Sequence, residues 1–175
     1  MEQGARLAIA IQVMGVALRL PKGYPFKNWR ILAVLLGPIM LIMWLVSGLL
    51  VYLIFGLPFW EAMLVGAVIT PTDPVVSTSV VTGKVAEENL PERIRNSLST
   101  ESGANDGLAY PLVLLPILIL TKTPTEALSE WLIPVLLWEV GAAILMGALI
   151  GYIADRLLVW AEAKQSIEKP SFWVS

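Results

Sequence analysis

Four carboxylates lie inside long apolar stretches of the sequence: Asp73, Glu101, Asp106 and Glu139. At the centre of a bilayer an ionised side chain costs at least ~2.5 kcal/mol, so each acid needs a physical reason to be there. The basic residues fall near the ends of these stretches, so the sequence places no Lys or Arg in mid-membrane to pair with these acids. The pattern indicates a site that binds protons or cations, with a structural ion pair as the alternative.

The stretch around Asp73 contains two prolines three residues apart, Pro71 and Pro74. Because proline lacks an amide donor, the pair frees the carbonyls of Ala67 and Thr70 and predicts an interrupted helix. Freed backbone at membrane depth is tolerated only where it is buried in protein or faces a cavity. Secondary transporters coordinate ions at such broken helices. We therefore favour a functional break over a simple kink.

A second polar cluster occupies residues 99–107. At 100° per residue, Glu101 and Asn105 lie one turn apart on one helical face. Ser102 and Asp106 are related in the same way, so the polar sector covers a broad side of the helix. A helix this polar cannot face lipid, and we expect it to line the protein interior.

These residues are suited to oxygen coordination and proton binding. The sequence has no His and no Cys, which excludes disulfides, thiolate or imidazole metal sites and His-based triads. Carboxylates, hydroxyls and freed carbonyls suit a hard monovalent cation such as Na⁺. A carboxylate removed from water holds its proton more tightly, so a proton can compete with a cation for the same oxygens.

The elements that position these residues are predicted to be membrane helices. Hydrophobic residues make up 57% of the chain, charged residues only 15%, and the mean hydropathy is +0.74, whereas soluble domains carry about a quarter charged residues. A net charge of −2 argues against nucleic-acid binding. We predict an all-α membrane protein with about five transmembrane helices, one of them interrupted. The spans are expected at residues 5–20, 29–55, 58–81, 94–120 and 131–159.

The Lys and Arg residues predict the orientation of the spans, because basic loops stay on the cytoplasmic side. With five spans, every basic residue except Arg6 and Lys122 falls on one side. We therefore expect the N-terminus outside, the C-terminus in the cytoplasm, and no cleaved signal peptide. Residues 1–160 are expected to form a membrane domain. Residues 161–175 are expected to be a cytoplasmic tail or the start of a connection to a further part.

The span limits also place two of the acids at the same depth in the membrane. Asp73 and Asp106 are expected at matching depth, both ~2 to 3 Å to the cytoplasmic side of the midplane. Gly103 and Gly107, beside Asp106, are expected to let another helix approach closely. Two acids from different helices can then share one site.

Two motifs resemble those of the sodium/proton exchanger branch of the monovalent cation:proton antiporter superfamily. Thr72-Asp73-Pro74 is similar to the motif in that family's broken helix. Residues 101–107 are similar to the acid, serine and Asn-Asp motif of its next helix. The resemblance implies exchange of a monovalent cation for a proton across the plasma membrane, with no cofactor.

The resemblance also implies a role for each site residue. Asp106 is implied to carry the ion or proton, Glu101 and Asn105 to organise the site, and Asn105 to mark electroneutral exchange. Four side chains are implied as sodium ligands: Asp106, Asp73, Ser102 and Thr72. A complete member has about a dozen or more spans in two inverted repeats. We therefore expect a fragment of that fold, whose C-terminal half, with a second broken helix, is missing.

Two other classes of membrane protein are alternatives. An intramembrane aspartyl protease would also place two aspartates at matching depth, but its Tyr-Asp and Gly-x-Gly-Asp motifs do not occur. A non-transporting membrane scaffold or regulatory fragment is the main alternative. We favour a structural role for Glu139, as partner of a basic residue in the missing half. Gly147 and Gly151 form a G-x-x-x-G spacing, for which ordinary helix packing is favoured over a homodimer interface.

Overall fold

The computed structural model describes residues 2–163 of the 175-residue chain. Its α-helices are α1 (Glu2–Arg19), α2 (Tyr24–Lys27), α3 (Trp29–Val34), α4 (Met40–Phe55), α5 (Phe59–Ile69), α6 (Pro74–Val81), α7 (Lys84–Asn89), α8 (Glu92–Thr121), α9 (Pro124–Glu130) and α10 (Gly141–Ala163). Two π-helical segments, Leu35–Ile39 and Trp131–Val140, join α3 to α4 and α9 to α10. Each contains a proline, whose missing amide disturbs the regular hydrogen-bond ladder. Most of the expected tail, residues 161–175, lies outside the described residues.

Several of these helices are suited to cross a membrane. Within the described residues, three continuous stretches are long and apolar enough: Trp29–Phe55, Glu92–Thr121 and Pro124–Leu157. The bent pair α5 and α6 adds a fourth crossing if it forms one span. The protein is an all-α, multi-pass membrane protein, as the sequence predicts. The first of the five expected spans, residues 5–20, lies on α1, and its apolar part within the residues searched is Ala10–Arg19.

The expected interruption is present between α5 and α6, where the helix axis bends by 43°. Pro71 cannot continue α5, and Pro74 begins α6 with a backbone angle already suited to a helix start. Thr70 Oγ1 donates to the carbonyl oxygen of Gly66 at 2.7 Å and closes the last turn of α5. The break therefore separates two short helices within one apolar region.

Helix α5 is packed tightly against α4. A Cβ atom on Gly66 would lie 2.5 Å from the amide nitrogen of Gly48, so the two backbones are in contact. Trp44 Nε1 donates to the carbonyl oxygen of Met63 at 2.9 Å across the same interface. Helix α5 also packs on α8. The buried cluster between these helices contains Met40, Trp44, Met63, Ala67, Ala109 and Leu112.

The basic segment before α3 meets the basic N-terminal turns of α8. The buried hydroxyl of Tyr24 donates to the carbonyl oxygen of Arg93 at 2.9 Å. It lies 2.9 Å from Ser97 Oγ, with which it shares a second hydrogen bond. The two basic segments therefore lie on the same side, as the expected orientation of the spans requires.

The glycines singled out in the sequence behave differently from one another. A Cβ atom on Gly103 would lie 3.2 Å from Val16 Cγ1, so α1 does approach α8 closely there. Gly107 has nothing within 4 Å, and the same is true of Gly147 and Gly151 among the described residues. The close approach expected at Gly107 is therefore not present.

After Leu128 the chain forms a second compact unit. In it, the π-helical segment Trp131–Val140 leads into α10, and most large apolar side chains are exposed. Glu139 is an exposed residue of the π-helical segment. Its expected structural role stays a prediction.

Candidate functional site

Helix α8 carries the polar stretch of residues 99–107 toward its N-terminal end. Ser102 and Asn105 are buried, with 0% and 1% of their surface exposed. Glu101 and Asp106 are partly exposed. The polar face of α8 is thus largely covered by protein, as the sequence predicts.

Three side chains join the helix break to α8 through hydrogen bonds. Asn105 Nδ2 donates to Thr72 Oγ1 at 2.6 Å and to Glu101 Oε1 at 2.9 Å. Thr72 Oγ1 in turn donates to Glu101 Oε2 at 2.9 Å. Both oxygens of Glu101 therefore act as acceptors. We call these three residues the Thr72–Glu101–Asn105 triangle.

One polar atom of the Asn105 side-chain amide makes no hydrogen bond to the described residues. Its carbonyl oxygen Oδ1 is buried and accepts no hydrogen bond from the described residues. The reverse orientation of the amide would turn this oxygen toward the Glu101 carboxylate, which has no proton to donate when ionised. A buried acceptor without a partner costs about 1–3 kcal/mol, so Oδ1 is available for a donor or a cation.

Asp106 follows the triangle directly in the sequence. The carboxylates of Asp73 and Glu101 are near enough to repel a negative charge on it. Within residues 2–163, no three acidic side chains are close enough to chelate a metal ion together. The region is therefore a cluster of repelling charges that one bound cation or proton can relieve.

Asp73 has a structural role that our reading of the sequence missed. Its Oδ1 accepts hydrogen bonds from the amide nitrogens of Val75 at 2.6 Å and Val76 at 3.4 Å, so Asp73 is the N-cap of α6. The signal was available, because Asp followed by Pro at the first helical position is a common helix start. One carboxylate thus caps α6 and also contributes charge beside Asp106.

The two hydroxyl groups of the expected sodium site already make hydrogen bonds. Ser102 Oγ donates to the carbonyl oxygen of Ser99 at 3.2 Å on its own helix, and Thr72 Oγ1 donates to Glu101. Both donations use the hydroxyl proton and leave oxygen lone pairs for a cation. The structure brings Thr72 to Glu101 and Asn105, whereas the joint coordination of one ion by the four expected ligands stays a prediction.

Comparison with known families identifies the group to which this arrangement belongs. A family model described as sodium/hydrogen exchanger, transmembrane, matches residues 2–171. The chain belongs to the sodium/hydrogen exchanger family. This confirms the resemblance seen in the two motifs, which in this exchanger chain lie at the break after α5 and on α8.

Curated relatives of this exchanger chain are named as antiporters. Na(+)/H(+) antiporter 2 of Zygosaccharomyces rouxii is 38% identical over 171 residues, covering 96% of this chain and 21% of the relative. The Na(+)/H(+) antiporter of Saccharomyces cerevisiae is 37% identical over 170 residues, covering 95% and 17%. The K(+)/H(+) antiporter NhaP2 of Shewanella oneidensis is 27% identical over 113 residues, covering 65% and 19%. The chain thus spans about a fifth of the length of these relatives. No solved structure matches it.

Proposed function

We propose that these residues are part of an antiporter in which a monovalent cation, Na⁺ first of all, and a proton compete for the Asp106 carboxylate. The observation that carries the proposal is the hydrogen-bonded Thr72–Glu101–Asn105 triangle, which ties the break of an interrupted membrane span to the helix that carries Asp106. The family of the chain and the names of its yeast relatives support it. Because the chain spans about a fifth of those relatives, the activity is proposed for a longer transporter that contains these residues.

Competition follows from the charge of the site. Like charges repel strongly where water is scarce, and either a cation or a proton at Asp106 relieves the repulsion from Asp73 and Glu101. A proton on the Asp106 carboxylate removes the negative charge that attracts the cation, so binding of one ion opposes binding of the other. Asn105 before the carrier Asp106 resembles the electroneutral members of the family, and from this resemblance we infer that one cation is exchanged for one proton.

The neighbouring residues organise this chemistry. The Thr72–Glu101–Asn105 triangle holds the break against α8. Ser102, Thr72 and Asp73 supply further oxygens for Na⁺, whose preference is for hard oxygen ligands. Thr72 Oγ1 accepts from Asn105 through one lone pair, so a cation on its other lone pair binds directly beside the contact between the break and α8.

The proposed transporter lies in the plasma membrane, with the N-terminus of this chain outside and residues 161–175 on the cytoplasmic side. The distribution of Lys and Arg supports this orientation. We further propose that a second half of the inverted-repeat fold, with its own broken helix, completes the ion path. Gly147 and Gly151 have open space beside them, and contact between two copies of the protein at these glycines is an alternative to ordinary helix packing.

Substitution of Asp106 tests the proposed ion carrier. In the longer transporter reconstituted into vesicles, Asp106→Asn removes the charge that both ions require, and Na⁺/H⁺ exchange should fall to background. In the wild type, a higher proton concentration should raise the apparent KM for Na⁺. Glu88→Gln, which removes a charge from an exposed position in α7, should leave exchange unchanged. Exchange at the wild-type rate in Asp106→Asn vesicles would show that another group carries the ion.

Labelling of a cysteine at Asn89 tests the orientation. Asn89 is exposed at the end of α7, in the basic segment expected in the cytoplasm. A membrane-impermeant thiol reagent should react only after the cells are opened, because this position is expected in the cytoplasm. The chain has no other cysteine that could be labelled. Labelling from outside intact cells would reverse the proposed orientation.

A further inference from the structure

We propose that the segment of residues 20–30 is a binding site for anionic phospholipid headgroups, and that lipid bound there holds the N-terminal end of α8 in place. The segment contains basic and aromatic residues but no acidic residue. Phe26 and Trp29 are 85% and 60% exposed. Lys27 and Arg30 are also exposed, and the Arg30 guanidinium lies 5.6 Å from the centre of the Trp29 ring.

This combination of side chains matches the chemistry of a membrane surface. The segment overlaps the start of the membrane-crossing stretch Trp29–Phe55, so it lies where that stretch leaves the hydrocarbon core. Aromatic rings are favourable at this level, with their apolar edges toward the acyl chains. Basic side chains next to a span attract anionic lipid headgroups. Exposed rings beside basic groups, with no acid among them, favour an anionic phospholipid as the occupant.

The segment is also fastened to the helix that carries the ion site. Tyr24, which lies within it, is buried and bonds through its hydroxyl to the carbonyl oxygen of Arg93 and to Ser97 Oγ. Ser97 lies one helical turn before Glu101 on α8. A lipid that immobilises the segment therefore restrains the first turns of α8, directly below the polar stretch. This inference concerns lipid binding and holds independently of ion exchange.

Lipid titration of the purified chain tests the binding site. Phosphatidylserine binding is measured by native mass spectrometry for the wild type and two double variants. Each basic residue near an anionic surface contributes about fivefold to binding, so Lys27→Gln with Arg30→Gln should weaken it roughly 30-fold. Lys84→Gln with Lys122→Gln removes the same charge elsewhere and should change binding less than about twofold. Equal weakening in both double variants would overturn the proposed site.

Amide hydrogen exchange tests the link to α8. In nanodiscs that contain phosphatidylserine, residues 92–101 should exchange several-fold more slowly than in phosphatidylcholine alone. Tyr24→Phe removes both hydroxyl hydrogen bonds and keeps the ring, so it should bind the lipid normally but lose this protection. Protection that persists in Tyr24→Phe overturns the link. Equal exchange in both lipids, or the same protection from inorganic phosphate in phosphatidylcholine nanodiscs, overturns the lipid site.

Discussion

The two halves of the interrupted span are held in the protein in different ways. In α5, the backbone at Gly66 touches the backbone of α4 at Gly48, and a tryptophan hydrogen bond crosses the same interface. Met63 and Ala67 have 2% and 0% of their surface exposed. This half is fixed by close packing, which depends on shape and is insensitive to charge.

The other half, α6, also packs on α8 and α1, but less extensively than α5 packs on its neighbours, and its start is held by a few polar contacts. Its outer valines are exposed: Val75, Val76 and Val80. Its start is set by the Asp73 cap, and the break before it is tied to α8 by the Thr72–Glu101–Asn105 triangle. Polar contacts of this kind respond to the binding of a cation or a proton, whereas the packing of α5 does not. The comparison thus locates the part of the span where ion binding can change the structure.

Removal of the break should have the largest effect. With Pro71→Ala and Pro74→Ala together, α5 can continue into α6, because both missing amide donors are restored. Exchange by the longer transporter in vesicles should then fall to background, while the thermal stability of the chain stays equal or rises. Pro58→Ala, an exposed proline before α5, serves as the control and should retain exchange. Full exchange in the double variant would mean that the two halves need not be separate.

A substitution at the close contact should have the next largest effect. In Gly66→Ala the new methyl group would overlap the backbone of Gly48, and overpacking of this kind costs about 1–3 kcal/mol. The free energy of unfolding of the chain in mild detergent should fall by that amount. Gly107→Ala has nothing within 4 Å of the added group, and it should be neutral or more stable by up to ~1 kcal/mol. Equal stability of the two variants would contradict tight packing of α5.

The break and the polar face could be predicted because their causes are local. Proline lacks a donor wherever it occurs, and the residues between Glu101 and Asp106 are too polar for lipid in any arrangement of helices. The contact between Gly48 and Gly66 could not be predicted, since it depends on which helices meet and at what height. Nothing in the sequence distinguishes Gly48 from Gly107, yet only the former faces a neighbouring backbone.

The candidate site likewise has features that could be predicted from local sequence and others that depend on packing. Spacing predicts that Glu101 and Asn105 lie one turn apart, but the hydrogen bonds of both to Thr72 depend on how the break packs against α8. The cap formed by Asp73 is local and could have been predicted from Asp-Pro.

The smallest predicted effect separates the two roles of Asp73. Asp73→Ala removes the cap of α6, and loss of an N-cap costs about 0.5–2 kcal/mol. Asn caps helices as well as Asp does, so Asp73→Asn should keep the start of α6. Asp73→Asn also removes the attraction between the negative charge and the helix N-terminus, which costs about 0.3–1 kcal/mol. The same change removes the repulsion between Asp73 and Asp106, which offsets this cost. The unfolding free energy in detergent should therefore fall for Ala and stay near the wild-type value for Asn.

The order of the Asp73 variants in exchange activity should differ from their order in stability. If Asp73 contributes charge to the ion site, Asn and Ala should both weaken exchange strongly, although only Ala weakens α6. A third variant, Asp73→Ser, introduces a second neutral side chain that caps well and should behave like Asn. Equal stability of the Ala and Asn variants would show that the cap contributes nothing to α6. Normal exchange with Asn or Ser would leave the cap as the role of Asp73, and α6 would then be held at its start by hydrogen bonding rather than by charge.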